Sequence, residues 1–134
     1  MKLPKGTKIA VADGEKFTLY ENTGDEATLA LKSISQPAID AEAGKAGSRQ
    51  QSSPGNPDAG QAEEDGFSAG IVETLNAQAL SGKIDGLVII AAPRALGEMR
   101  KHYHKVLSGK LLGEIDKDLT GHPIQDIEKA IAAA

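Results

Sequence analysis

Short apolar runs flank Asp13-Gly14, a dipeptide suited to a hairpin turn, so Lys8 to Asp13 and Lys16 to Glu21 are predicted to pair as two strands. After the turn signal Asn22-Thr23-Gly24-Asp25, Ala27 to Ile34 predicts a third strand with imperfect alternation, and Pro37 ends the regular structure. Leu87 to Ala92 is nearly continuous in apolar residues, the mark of a central strand covered on both faces. Lys110 to Asp116 predicts a fifth strand.

Helical spacing appears between and after these later strands. Phe67, Ile71, Val72 and Leu75 form one apolar face of a helix beginning near Ala62-Glu63-Glu64-Asp65, where acids suit the positive helix end, and closing at Ser81-Gly82. Gly66 and Gly70 within it allow close packing. A second helix should run from Pro93 or Ala95 to Leu107, with Leu96, Met99, Tyr103 and Val106 or Leu107 inward. Pro93 fits its first turn and Gly109 its stop. Pro123 to Ala133 predicts a last helix carrying Ile124, Ile127 and Ile131 along one side. Between Ala41 and Gln61 there is no large apolar side chain, only a long stretch rich in Gly, Ser, Pro, Gln, Asn and Asp. That predicts a mobile loop at about 41–61.

The order is a three-strand meander, then helix, strand, helix, strand, helix. It predicts an α/β fold with a mixed five-stranded sheet, in the element order of the ribonuclease H-like topology. At 134 residues the chain fits a single domain.

Composition narrows the chemistry. The absence of cysteine excludes thiol catalysis, disulfides and cysteine-ligated zinc. The polar N-terminal segment and short apolar runs predict a cytoplasmic protein without a membrane span. A net charge of −4 argues against generic nucleic-acid binding, but Arg94, Arg100, Lys101, Lys105 and Lys110 face only Glu98 within their segment. With two Phe, two Tyr and no Trp, there are few rings for a base-stacking platform.

Asp13 ends the first strand, where a ribonuclease H-like nuclease would hold a metal, but the fourth strand ends in Ala91-Ala92-Pro93 without an acid. A two-metal site needs several converging carboxylates, so Asp13-Gly14 reads as a turn and no metal or cofactor is expected. His102 and His104 lie about 200° apart on one helix and read as surface residues; His122 reads as a loop residue. The chain holds no phosphate-binding glycine motif and no serine-nucleophile elbow. Asp116-Lys117-Asp118-Leu119-Thr120 is either an ion site at the sheet edge or a charged turn that pairs with Arg94 or Arg100. Arg94 sits in a first helical turn, where its charge opposes the helix dipole, so Asp116 or Asp118 would suit it as a partner.

Val11-Ala12-Asp13-Gly14, Ala92-Pro93-Arg94-Ala95-Leu96-Gly97-Glu98-Met99-Arg100 and Asp116-Lys117-Asp118-Leu119-Thr120 together resemble the bacterial host-attachment protein family. That family is similar to the middle domain of archaeal and eukaryotic peptide-chain release factors. The resemblance marks Asp13, Pro93, Gly97, Asp116, Lys117 and Asp118 as signature or structural residues. It implies contact with the ribosome or RNA, for which Arg94, Arg100, Lys101 and Lys105 would form the anion-binding face. Release factors carry a Gly-Gly-Gln loop before a long helix. Here Ala59-Gly60-Gln61 stands at that place with alanine first, making Gly60 and Gln61 the catalytic candidates. Three functions follow: a non-enzymatic cytoplasmic factor contacting ribosomal or transfer RNA, a peptidyl-tRNA ester hydrolase using the 44–61 loop, and a module binding a protein partner through residues 41–61, with an indirect effect on host attachment.

Overall fold

Leu87-Val88-Ile89-Ile90-Ala91 is buried at all five positions, as a strand with a parallel neighbour on each side requires. This is β4 of a computed structural model that describes residues 1–36, 38, 39 and 59–134. The other elements are β1 (Lys8–Ala12), β2 (Phe17–Asn22), β3 (Leu31–Ile34), α1 (Ala59–Leu80), α2 (Pro93–Arg100), α3 (Lys105–Lys110), β5 (Leu111–Ile115) and α4 (Ile124–Ala133). The sheet order is β3-β2-β1-β4-β5, with β1–β2 and β2–β3 antiparallel. The fold is thus α/β with a mixed five-stranded sheet, as the sequence pattern predicts, and the described residues form four helices where that pattern predicts three.

Alternation along β1 and β4 sends side chains to two separate cores. Ala10, Ala12 and Ile89 pack with Ile71 and Leu75 of α1, Leu96 and Met99 of α2, and Leu107 of α3. On the other face, Ile9, Val11, Val88 and Ile90 meet Ile127 and Ile131 of α4. Each Val, Leu, Ile or Met side chain among them, withdrawn fully from water, contributes about 1.5–3 kcal/mol. Helices therefore cover both faces, and the segment from β5 to α4 must cross the sheet edge between them.

Three element boundaries differ from expectation. The third strand starts at Leu31 rather than Ala27, because Asp25 Oδ1 accepts the Ala27 and Thr28 amides at 3.0 and 2.8 Å. A side chain that takes backbone donors in this way holds the chain in a turn. α1 starts at Ala59, so residues 59–61 are helical, and the acids Glu63 to Asp65 fall after its first turn. The rest of the predicted 41–61 loop, residues 41–58, lies outside the described residues.

The predicted helix 93–107 is broken in two. Lys101 and His102 close α2 with bonds to Glu98 and Met99 carbonyls at 3.1 and 3.0 Å. His104 Nδ1 then accepts the Val106 amide at 3.1 Å and starts α3, which contains Gly109 instead of ending there. Leu107 still reaches the core while Val106 is exposed, so apolar spacing alone fits one helix or two equally well.

Candidate functional site

At the carboxyl end of β1, Asp13 Oδ1 accepts the Glu15 and Lys16 amides at 2.7 and 2.6 Å, which makes the hairpin turn. Its Oδ2 lies 2.9 Å from Thr120 Oγ1, and that hydroxyl is also 2.6 Å from Asp118 Oδ1. With one proton to give, Thr120 donates to one of the two carboxylates and stands between them. Burial opposes ionisation of Asp13, but the two amides, the Thr120 hydroxyl and the Lys16 charge together hold its pKa below the ordinary value.

The start of α1 faces this turn. Gly14 lets it come close: a Cβ there would stand 2.7–2.9 Å from Oε1, Cγ and Cβ of Glu64. Gln61 Nε2 donates to Asp65 Oδ1 at 2.6 Å, one helical turn on. With Ser68, a further turn along that side, and with Arg94 and Ala95 at the start of α2, these residues and Asp118 enclose a cleft of about 330 Å³. Five carboxylates line it, those of Asp13, Glu15, Glu64, Asp65 and Asp118, against the guanidinium of Arg94. Among the described residues, no group of three or more His, Asp or Glu is arranged to hold a metal ion.

The predicted site residues divide between this cleft and another surface. Gln61, Asp13, Arg94 and Asp118 line the cleft. Gly60 precedes it in the first turn of α1, with open space around its Cα, and it lines a neighbouring depression with Gly14 and Glu64. Pro93 is the first residue of α2. Gly97 is exposed, and an added Cβ there would meet nothing within 4 Å. Asp116 and Lys117 are exposed. Although Arg94 and Asp118 share the cleft, Arg94 makes no ion pair with Asp116 or Asp118, contrary to expectation.

Arg100, Lys101 and Lys105 lie at the far end of α2 and the start of α3. Arg100 donates from Nε and Nη2 to Glu114 Oε1 at 3.1 and 2.9 Å, so its partner comes from β5 and not from the 116–120 turn. Tyr103 donates to the other oxygen, Glu114 Oε2, at 2.6 Å. Burial first, then this carboxylate, pushes the Tyr103 pKa far up. Glu114 is opposed by burial but held below the ordinary range by Arg100 and Tyr103. Lys101 lies 3.1 Å from Glu98 Oε1, and His102 Nε2 lies 2.9 Å from Glu98 Oε2. His102 is therefore half-buried and partnered, not a bare surface residue.

Residues 6–131 match the family model described as bacterial archaeo-eukaryotic release factor family 12. The chain belongs to this family. The match covers nearly all of the family-12 chain, and it bears out the release-factor side of the resemblance; the host-attachment designation is no part of it. No curated protein matches the sequence. In this family-12 chain no helix among the described residues is long and apolar enough to cross a membrane.

Asp65, Ser68 and Glu114 were not singled out by sequence reasoning as site or partner residues. For Asp65 and Ser68 a signal exists: they follow Gln61 at spacings of four and seven, one face of a helix, once the helix is known to start at Ala59. Glu114 faces Arg100 across the sheet edge, and no local pattern links them.

Proposed function

We propose that this chain is a non-enzymatic cytoplasmic factor of one domain that contacts the ribosome or RNA through the basic surface around the α2–α3 break. The observation that carries this reading is the family match over residues 6–131. The geometry supports it at Arg100, Lys101 and Lys105. The side chains of Arg100 and Lys101 remain 55% and 69% exposed despite their ion pairs. Exposed pairs contribute only about 0–1 kcal/mol, so a phosphate can take over these cations at little cost. Arg94 is six residues from Arg100, about 9 Å along the axis, and stands in an acidic cleft that would repel a polyanion. It is a minor member of the set. The ribonuclease H-like reading of the strand order belongs to the same proposal, as does an indirect route to any effect on host attachment.

Co-sedimentation of the full chain with ribosomes at increasing salt tests this reading. Three phosphate contacts give a slope of roughly −2 to −3 in log affinity against log salt. Changing Arg100, Lys101 and Lys105 together to Glu should abolish binding. No association with ribosomes or RNA even at low salt would remove the proposal.

The place of Gln61 on the cleft, beside Asp65 and Ser68, favours a second reading, hydrolysis of a peptidyl-tRNA ester. It predicts release of a labelled peptide from peptidyl-tRNA that is lost in Gln61→Ala. Release no faster than in buffer rejects it. The third function, a protein partner held by residues 41–61, falls almost wholly outside the described residues.

A further inference from the structure

The chain has two Phe, two Tyr and no Trp, and all four rings lie within the described residues. Phe17 and Tyr20 are buried in the two cores on either face of the sheet. Phe67 packs on the core, and its remaining surface lines a depression with Glu15, Glu63 and Glu64, where a phosphate is repelled. Tyr103, beside the basic surface, packs its ring on the same core and donates its hydroxyl to Glu114. No large ring is left to stack under a base beside Arg100, Lys101 and Lys105.

The flat groups nearest these cations are smaller and are bonded at their edges. Arg100 is held by Glu114 and His102 by Glu98, while His104 Nδ1 accepts the Val106 amide. Asn76 bonds the backbone of both histidines and so fixes the segment that carries the charge. Proteins that hold a single strand without regard to sequence combine a basic track along the backbone with rings that stack successive bases. Here the track is short as well, since the other end of α2 opens on the five carboxylates around Arg94.

A duplex requires neither rings nor a track. Its bases stack on one another, and it presents about twice the phosphate charge of a single strand over the same length of axis. We infer that the partner of this surface is double-stranded RNA, gripped by its phosphates without regard to base sequence. The inference rests on the ribosome or RNA reading of this surface and names the form of RNA that it takes. An A-form helix suits fixed, exposed cations, because its phosphates and 2′-hydroxyls are open to contact while its deep groove keeps the base edges out of reach.

Fluorescence anisotropy of the full chain tests it, with a labelled RNA duplex of about 20 base pairs, a U-only RNA strand of the same length and a DNA duplex of the same sequence. The RNA duplex should bind at least about tenfold more tightly than the single strand, and no less tightly than the DNA duplex. A scrambled RNA duplex should bind within about twofold of the first. Lys101 and Lys105 are exposed, so Lys101→Gln with Lys105→Gln keeps the fold, as circular dichroism would confirm. That pair should weaken the duplex at least about tenfold and reduce the salt slope by about 2, whereas Lys101→Arg with Lys105→Arg should preserve both. A single strand bound as tightly as the duplex, DNA bound more tightly than RNA, strong preference for one base sequence, or unchanged affinity in the folded Gln variant would each overturn the inference. Binding to phosphatidylserine vesicles without binding to the duplex would do the same. Co-sedimentation separates this inference from the reading beneath it: ribosome binding without duplex binding overturns the inference alone, and binding to neither ribosomes nor any RNA removes both.

Discussion

Asn76 Oδ1 accepts the backbone amide of His104 at 3.0 Å, while Asn76 Nδ2 donates to the His102 carbonyl at 3.0 Å. One buried side chain on α1 thus holds both sides of the break between α2 and α3. It replaces the two backbone partners that a continuous helix would have supplied. Asn76→Ala strands both groups and should cost about 2 kcal/mol, the usual penalty for unsatisfied polar groups that are partly buried. Asn76→Asp keeps the acceptor but turns a carboxylate oxygen toward the His102 carbonyl, and should cost at least as much. Urea unfolding measures both. A change below about 0.5 kcal/mol in Asn76→Ala would mean the break holds itself.

This bond also shows where sequence reading stops. The strands, their order of appearance and the core positions Leu96, Met99 and Leu107 were legible, because burial imposes a period on neighbouring residues. The break at 101–104 was not, since its cause sits 28 residues away on α1. The same holds at the cleft. Asp13 and Asp118 stood out as residues at strand ends, but Thr120 bridging them is a contact across 107 positions. The start of α1 was missed for a local reason. Acids from Glu63 to Asp65 imitate a first turn, whereas the helix begins one turn earlier, at Ala59.

Stability should fall with acid in a way that Glu114 helps to set. Its pKa is lowered in the fold, against the pull of burial, from an ordinary value near 4.5. In that window the unfolded chain binds more protons than the folded one, so stability rises with pH. The contribution is fully present above the ordinary value and is lost as pH falls through the lower folded value. Glu114→Gln should flatten the acid limb of melting temperature against pH between 7 and 3. It should not abolish the limb, because Asp13 and Glu98 are shifted in the same direction. An unchanged slope in the variant would show that the Arg100–Glu114–Tyr103 cluster does not persist in solution.

Thr120→Val removes the hydroxyl between Asp13 and Asp118 while keeping the shape of the side chain. Asp13 then loses one of the groups that favour its ionised form, and its pKa should rise. The rise should be partial, because the Glu15 and Lys16 amides still bond its other oxygen. Carboxyl-carbon NMR titration of Asp13 reads this directly. A pKa that stays in place would mean Thr120 gives its proton to Asp118 alone.

Gly60→Ala distinguishes a helix start from a release-factor loop. In a loop whose backbone must approach an ester, a glycine is kept for conformations closed to other residues. Gly60 has no such conformation: the glycines at positive φ among the described residues are Gly6, Gly82 and Gly121. It is also helical, and an added methyl would meet nothing within 4 Å. Alanine should therefore be neutral or stabilise by up to about 1 kcal/mol, the helix preference of Ala over Gly, with less gain in a first turn. Ribosome co-sedimentation should also be unchanged, since the basic surface is elsewhere. A loss of more than about 1 kcal/mol in urea unfolding, or lost binding in a stably folded Gly60→Ala, would show that Ala59-Gly60-Gln61 leaves the helix in its working state.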